Sequence, residues 1–173
     1  MDTSALGVPA QQPETSQSQE AGKLLRAMGS GANWFYWIAG LSLLNSVIQM
    51  FDSDRSFVVG LGITQVFDAI ASLAAKEVGP GAGTVLRGIA FALDVCVAGV
   101  FALFGWQAGK RRRWAFLLGM ILYFLDALIF LLASDWLSLG FHAFALVGIW
   151  AGFSSLRKLE ALEVQLGLRP VGA

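Results

Sequence analysis

"FLLGMILYFLDALIFLLASDW" (residues 116–136) decides the fold class of this chain. It is an apolar run interrupted by one carboxylate, Asp126, and closed by the polar break Ser134–Asp135. A helix needs about 20 apolar residues to cross a hydrocarbon core ~30 Å thick. Unpaired backbone groups are intolerable in lipid, so such a run predicts a membrane-spanning helix. Working outward, four further segments qualify or nearly qualify: roughly 33–51, 56–75, 85–107 and 137–156, beside 114–133. The breaks between them are short: "DSDR" (52–55), "KEVGPGAGT" (76–84), "AGKRRR" (108–113) and "SDW" (134–136). Trp34, Trp37, Trp106, Trp114 and Trp136 sit at the predicted boundaries, where amphipathic rings favour the interface.

The composition agrees. The chain is 56% hydrophobic and 14% charged, against about 25% charged for soluble domains. Twelve basic and twelve acidic residues cancel, so no net field points to nucleic acid. The lone Cys96 excludes an intramolecular disulfide and reads as a small buried core residue.

Three regions follow. Residues 1–32 are rich in Ser, Gln, Pro and Thr and are expected to be a disordered polar tail. "KLLRAM" (23–28) offers a turn or two of surface helix, broken by "GSG" (29–31). Neither a basic n-region nor an apolar h-region is present there, so the first span is expected to remain as an anchor. Residues 33–156 form the transmembrane helix bundle. Leu156, Leu159, Leu162 and Leu166 recur at spacings of three and four, which predicts that the helix of the last span continues past the membrane and makes residues 157–173 a cytoplasmic amphipathic helix and tail.

The segment 56–75 is ambiguous. Thr64, Gln65, Asp68 and Ser72 share one helical face. That face suits a bundle interior, a headgroup layer or a re-entrant bend beside "GLG" (60–62). The expectation is an all-α transmembrane helix bundle of four spans plus one amphipathic or re-entrant helix, with five spans as the alternative. Orientation rests on the excess of Lys and Arg in cytoplasmic loops. Lys110, Arg111, Arg112 and Arg113 are the topology determinants and place that turn, and with it the C-terminus, in the cytoplasm. Moving to five spans carries Lys23 and Arg26 out and Arg55 in, so the rule hardly separates the two models.

Each segment holds a polar residue that lipid disfavours: Asn45, Asp68, Asp94, Asp126 and His142. A mid-span carboxylate costs about 2.5–3.5 kcal/mol on insertion scales, so Asp94 and Asp126 together cost roughly 5–7 kcal/mol if uncompensated. Protonation, His142 and Arg87 are the visible neutralisers, although Arg87 lies about 10 Å along the helix from Asp94 and is better placed to snorkel. For Asp126 a neutral carboxyl bonded to Asn45 or His142 is expected. The five residues therefore read either as a proton- or cation-handling cluster or as interhelical hydrogen-bond clamps.

"GIWAG" supplies Gly148 and Gly152, a helix-packing surface for a helix of this chain or of a second copy. No phosphate-binding loop, zinc-spaced His/Cys set or Gly-x-Ser-x-Gly elbow occurs, and the short loops offer no soluble active site. No enzyme activity, cofactor or metal is expected.

"NWFYWIAGLSLLNSV", "LYFLDALIF" and "SLGFHAFALVGIW" resemble segments of small polytopic integral membrane proteins of bacteria, an uncharacterised group. The resemblance implies a bacterial inner membrane and says nothing about activity. Of two functions, the first is the expected one and the second its alternative. One is an accessory or scaffold protein whose partners are the lipid bilayer and another membrane protein or a second copy. The other is a small proton- or cation-coupled transporter using the buried acids.

Overall fold

The structure, a computed structural model, describes residues 13–50, 60–78 and 80–168. Among the described residues it is all-helical: α1 Pro13–Met50, α2 Gly62–Val78, α3 Pro80–Gly109, α4 Arg113–Leu132 and α5 Trp136–Gln165. By length and composition, α3, α4 and α5 are apolar enough to cross a membrane. α1 passes antiparallel along α3 and α5, with Tyr36 against Gly105 and Gly31 against Gly152. Its apolar half is diluted by Asn33, Ser42, Asn45, Ser46 and Gln49. Three of these, Ser42, Asn45 and Ser46, are fully buried, so the polarity faces the bundle. A core of Phe35, Phe101, Phe104, Phe116 and Tyr123 fills the space between α1, α3 and α4.

α1 corrects the expected tail. Residues 13–32 are helical and continuous with the apolar half, and "GSG" does not break the helix. The reason is tertiary. A Cβ on Gly31 would come within 2.8 Å of the Gly152 amide nitrogen and 3.2 Å of the Gly148 carbonyl, so glycine is what lets α1 and α5 touch backbone to backbone. Burial of Met28 and Ala32 against that contact offsets the glycine penalty of about 1 kcal/mol per residue. Residues 1–12 of the expected tail and the "DSDR" break lie outside the described residues.

α2 packs on α3 and α4. It begins against the last two turns of α4, where Gly62 packs on Phe130, Ile129 and the Asp126 carbonyl. At 1.5 Å per residue, Asp126 lies about 20 Å along α4 from the basic turn. From that depth α2 runs antiparallel to α3, past Asp94, to where Ala75 meets Gly83. Its own rise of about 24 Å, added to that depth, matches the ~44 Å length of α3. α2 therefore starts inside the bundle and leaves by the end at which α1 finishes. The break expected at 76–84 is shorter still, since α2 runs to Val78 and α3 starts at Pro80.

Both tight turns stop their helices with positive-φ residues, Arg111 (66°) and Ser134 (58°). At the second turn the Asp135 side chain caps α5, accepting from the Ser138 amide at 3.2 Å. α5 is one continuous helix through Gln165, the continuation of the last span that the leucine spacing predicts. Leu156 and Leu159 are buried on the bundle. Glu160 pairs with Arg113 and Glu163 with Arg111, tying this extension to the basic turn. Cys96, expected in the core, is exposed on the outer face of α3.

Candidate functional site

Of the five polar residues expected as one cluster, four divide into two centres set on either side of the first turns of α2, and Asn45 lies between them.

The first centre is Asp126. A helix start leaves its first backbone N–H groups without partners, and normally a residue of the same segment caps them. Here the cap comes from α4: Asp126 Oδ2 accepts from Gly62 N at 2.8 Å and Oδ1 from Ile63 N at 2.9 Å. His142 Nε2 lies 3.0 Å from Oδ2, while its Nδ1 faces the Ser138 carbonyl at 2.8 Å. That carbonyl only accepts, so Nδ1 carries a proton, and a second proton sits between Nε2 and Oδ2. The imidazole is clamped by the stacked Tyr123 ring, centroids 4.4 Å apart, and by Phe130 at 4.8 Å. The expected His142 contact is present. The donors that sequence reasoning missed are backbone groups of α2, for which no side chain gives a signal. The same carboxyl lies on the wall of a groove of about 330 Å³ between α2, α3 and α4, otherwise lined by Ile63, Val97, Phe101, Leu125 and Ile129 among others.

Between the centres, Ser42 donates to Thr64 Oγ1 at 3.0 Å, because the Thr64 hydroxyl proton is directed to the Leu61 carbonyl at 2.8 Å. Asn45 lies against Gly60, on the chain just ahead of α2.

The second centre joins three elements: Ser46 on α1, Asp68 on α2 and Asp94 on α3. The two carboxyls lie within interaction range of each other and of the Ser46 hydroxyl. Ser46 and Asp94 are fully buried and Asp68 is half-buried. Both Asp94 oxygens, Asp68 Oδ2 and Ser46 Oγ are buried without a hydrogen bond of ordinary geometry. Arg87 therefore does not bond Asp94; it lines a cleft with Ala75, Gly83 and Thr84 near the α2–α3 turn.

The contrast between the centres is chemical. Asp126 is fully partnered and rigidly held, as a structural pin is. Ser46, Asp68 and Asp94 bring side-chain oxygens of three helices within interaction range of one another, and most of these make no hydrogen bond of ordinary geometry, which buried polar groups rarely do.

The other predicted residues have local roles. Gly152 meets Gly31, and Gly148 lies under the Trp34 indole, so both glycines serve packing within the chain. Lys110 lies over the Trp106 ring, 3.3 Å from its centroid. Arg111 and Arg113 form the ion pairs with α5, and Arg112 is exposed. No protein-family model matches this chain, and no curated protein or solved structure matches it significantly.

Proposed function

We propose that this is a multi-pass, non-enzymatic protein of a bacterial inner membrane that couples the movement of protons or small cations to transport. The observation that carries the reading is the Asp68–Asp94 centre, whose buried oxygens lack partners and whose three residues come from three helices. Intramembrane carboxyls that serve as clamps are partnered, as Asp126 is, and unpartnered ones mark ion or proton paths. α2, read as re-entrant, supports it further, because non-helical backbone at membrane depth is tolerated where protein or a cavity covers it. In this reading α1, α3, α4 and α5 are the four spans, and the basic turn and C-terminus face the cytoplasm. A second copy completes the path, since five short helices enclose little space.

The test is flux. Purified protein in lipid vesicles with an imposed proton or sodium gradient is expected to dissipate it faster than empty vesicles, and Asp94→Asn to remove the difference. Equal rates in wild-type and empty vesicles would reject coupling.

A scaffold role is the second reading. Its glycine surface is used internally and Leu156 and Leu159 are buried, but Val164 and Leu166 stand exposed past the ion pairs. A membrane protein recovered in fixed stoichiometry, and lost in Val164→Glu, would favour it.

A further inference from the structure

We propose that Ser46, Asp68 and Asp94 form a binding site for one sodium-sized monovalent cation. The inference deepens the proposed function and rests on the same centre.

The warrant is the donor set. Two carboxyls and one hydroxyl present five side-chain oxygens, and hard cations are held by oxygen. An acidic pair alone would prove little, since two carboxyls can share a proton. Ser46 is the independent observation. It is not ionisable and comes from a different helix, yet its hydroxyl is fully buried within interaction range of both carboxyls and makes no hydrogen bond of ordinary geometry. A buried hydroxyl left unbonded is costly, and a cation satisfies its lone pair while the O–H remains free to turn to a carboxyl oxygen.

Charge and ligand number select the class. Calcium takes six to eight oxygens, and magnesium demands near-ideal octahedral geometry and keeps several waters. Five oxygens on two wholly buried residues and one half-buried residue fit neither. A buried site must also be close to neutral. One ionised carboxyl, one protonated carboxyl and one monovalent cation meet that condition. No bond other than a carboxyl O–H is made or broken, and the displaced proton leaves to water. Among the charged groups on the packed helices, Arg87 is about two turns along α3 and Lys76 and Glu77 are at the far end of α2. Asp126 and His142 are bonded to each other at the first turn of α2.

Equilibrium binding of radioactive sodium to the full-length protein in detergent tests the site. One saturable sodium per chain is expected, lost in Asp94→Asn and Asp68→Asn. Ser46→Ala, which removes one ligand, is expected to bind about tenfold more weakly. Circular dichroism and gel filtration report whether each variant folds; if Asp94→Asn does not, Asp68→Asn and Ser46→Ala carry the test. Absence of saturable sodium, lithium or potassium binding to the wild type overturns the proposal. So does sodium binding that persists in folded Asp68→Asn and Asp94→Asn, or saturable binding of calcium or magnesium alone. The proposed function fails separately: a wild type that binds sodium but carries no flux keeps the site and loses the coupling.

Discussion

Replacing Asp126 by Asn changes the shape of the side chain little and inverts its hydrogen bonding on one side. The carboxyl now accepts from Gly62 N at 2.8 Å and Ile63 N at 2.9 Å, with His142 Nε2 3.0 Å away. An amide has one acceptor oxygen. If that oxygen keeps Ile63, the NH₂ group occupies the Oδ2 position, bonds His142 Nε2 and points a donor at the Gly62 donor. One backbone N–H buried in the bundle is then orphaned, at about 1–3 kcal/mol. Side-chain clamps between membrane helices average only about 0.6 kcal/mol, because the unfolded chain in lipid finds other partners. The start of α2 has no such alternative, since Gly62 and Ile63 precede the first intrahelical bond at Gln65. The orphaned donor therefore dominates, and we predict a loss of about 1–3 kcal/mol. Two measurements read it. Denaturant unfolding in micelles gives the global loss. Hydrogen exchange at the Gly62 and Ile63 amides gives the local one, and about 2 kcal/mol corresponds to roughly thirtyfold faster exchange. An Asn variant as stable as wild type, with unchanged exchange at both amides, would refute the capping argument.

Three further outcomes are expected. Gly152→Val must push α1 from α5, because even a Cβ would approach the Gly31 amide within 3.2 Å, and should cost about 1–3 kcal/mol in the same unfolding assay. The Ser138 hydroxyl and amide hold the Asp135 carboxyl below its ordinary range, so its cap stabilises above the unfolded value of about 3.9 and is lost as pH falls through the lower folded value. Asp135→Ala should accordingly lose about 0.5–2 kcal/mol near neutral pH, a difference that narrows below about pH 4. With Cys96 replaced by Ala, an impermeant thiol reagent applied to intact cells should label Ser134→Cys and spare Arg112→Cys, and the reverse would invert the orientation.

The helical class and the places where helices stop were legible in the residues themselves. The run around Asp126 is too apolar for water and too long for a strand, and both turns at 110–113 and 134–135 lie where the apolar run fails. Burial of the carboxylates was legible too, as a matter of cost: a charge in hydrocarbon must face protein. What the residues could not specify was rotation, depth and neighbour. Gly29–Gly31 reads as a helix breaker by propensity and becomes a contact surface only once Gly152 lies opposite, because packing outweighs about 1 kcal/mol per glycine. Cys96 and Asp94 are two residues apart on α3, yet one is exposed and the other fully buried, a distinction of helix rotation alone. The division into a partnered Asp126 and an unsatisfied Asp68–Asp94 pair depends on how far α2 enters the bundle. That depth is set by the fit of Gly62 against Phe130 and by two backbone N–H groups, and an amide hydrogen, common to every residue but proline, leaves no mark in a sequence.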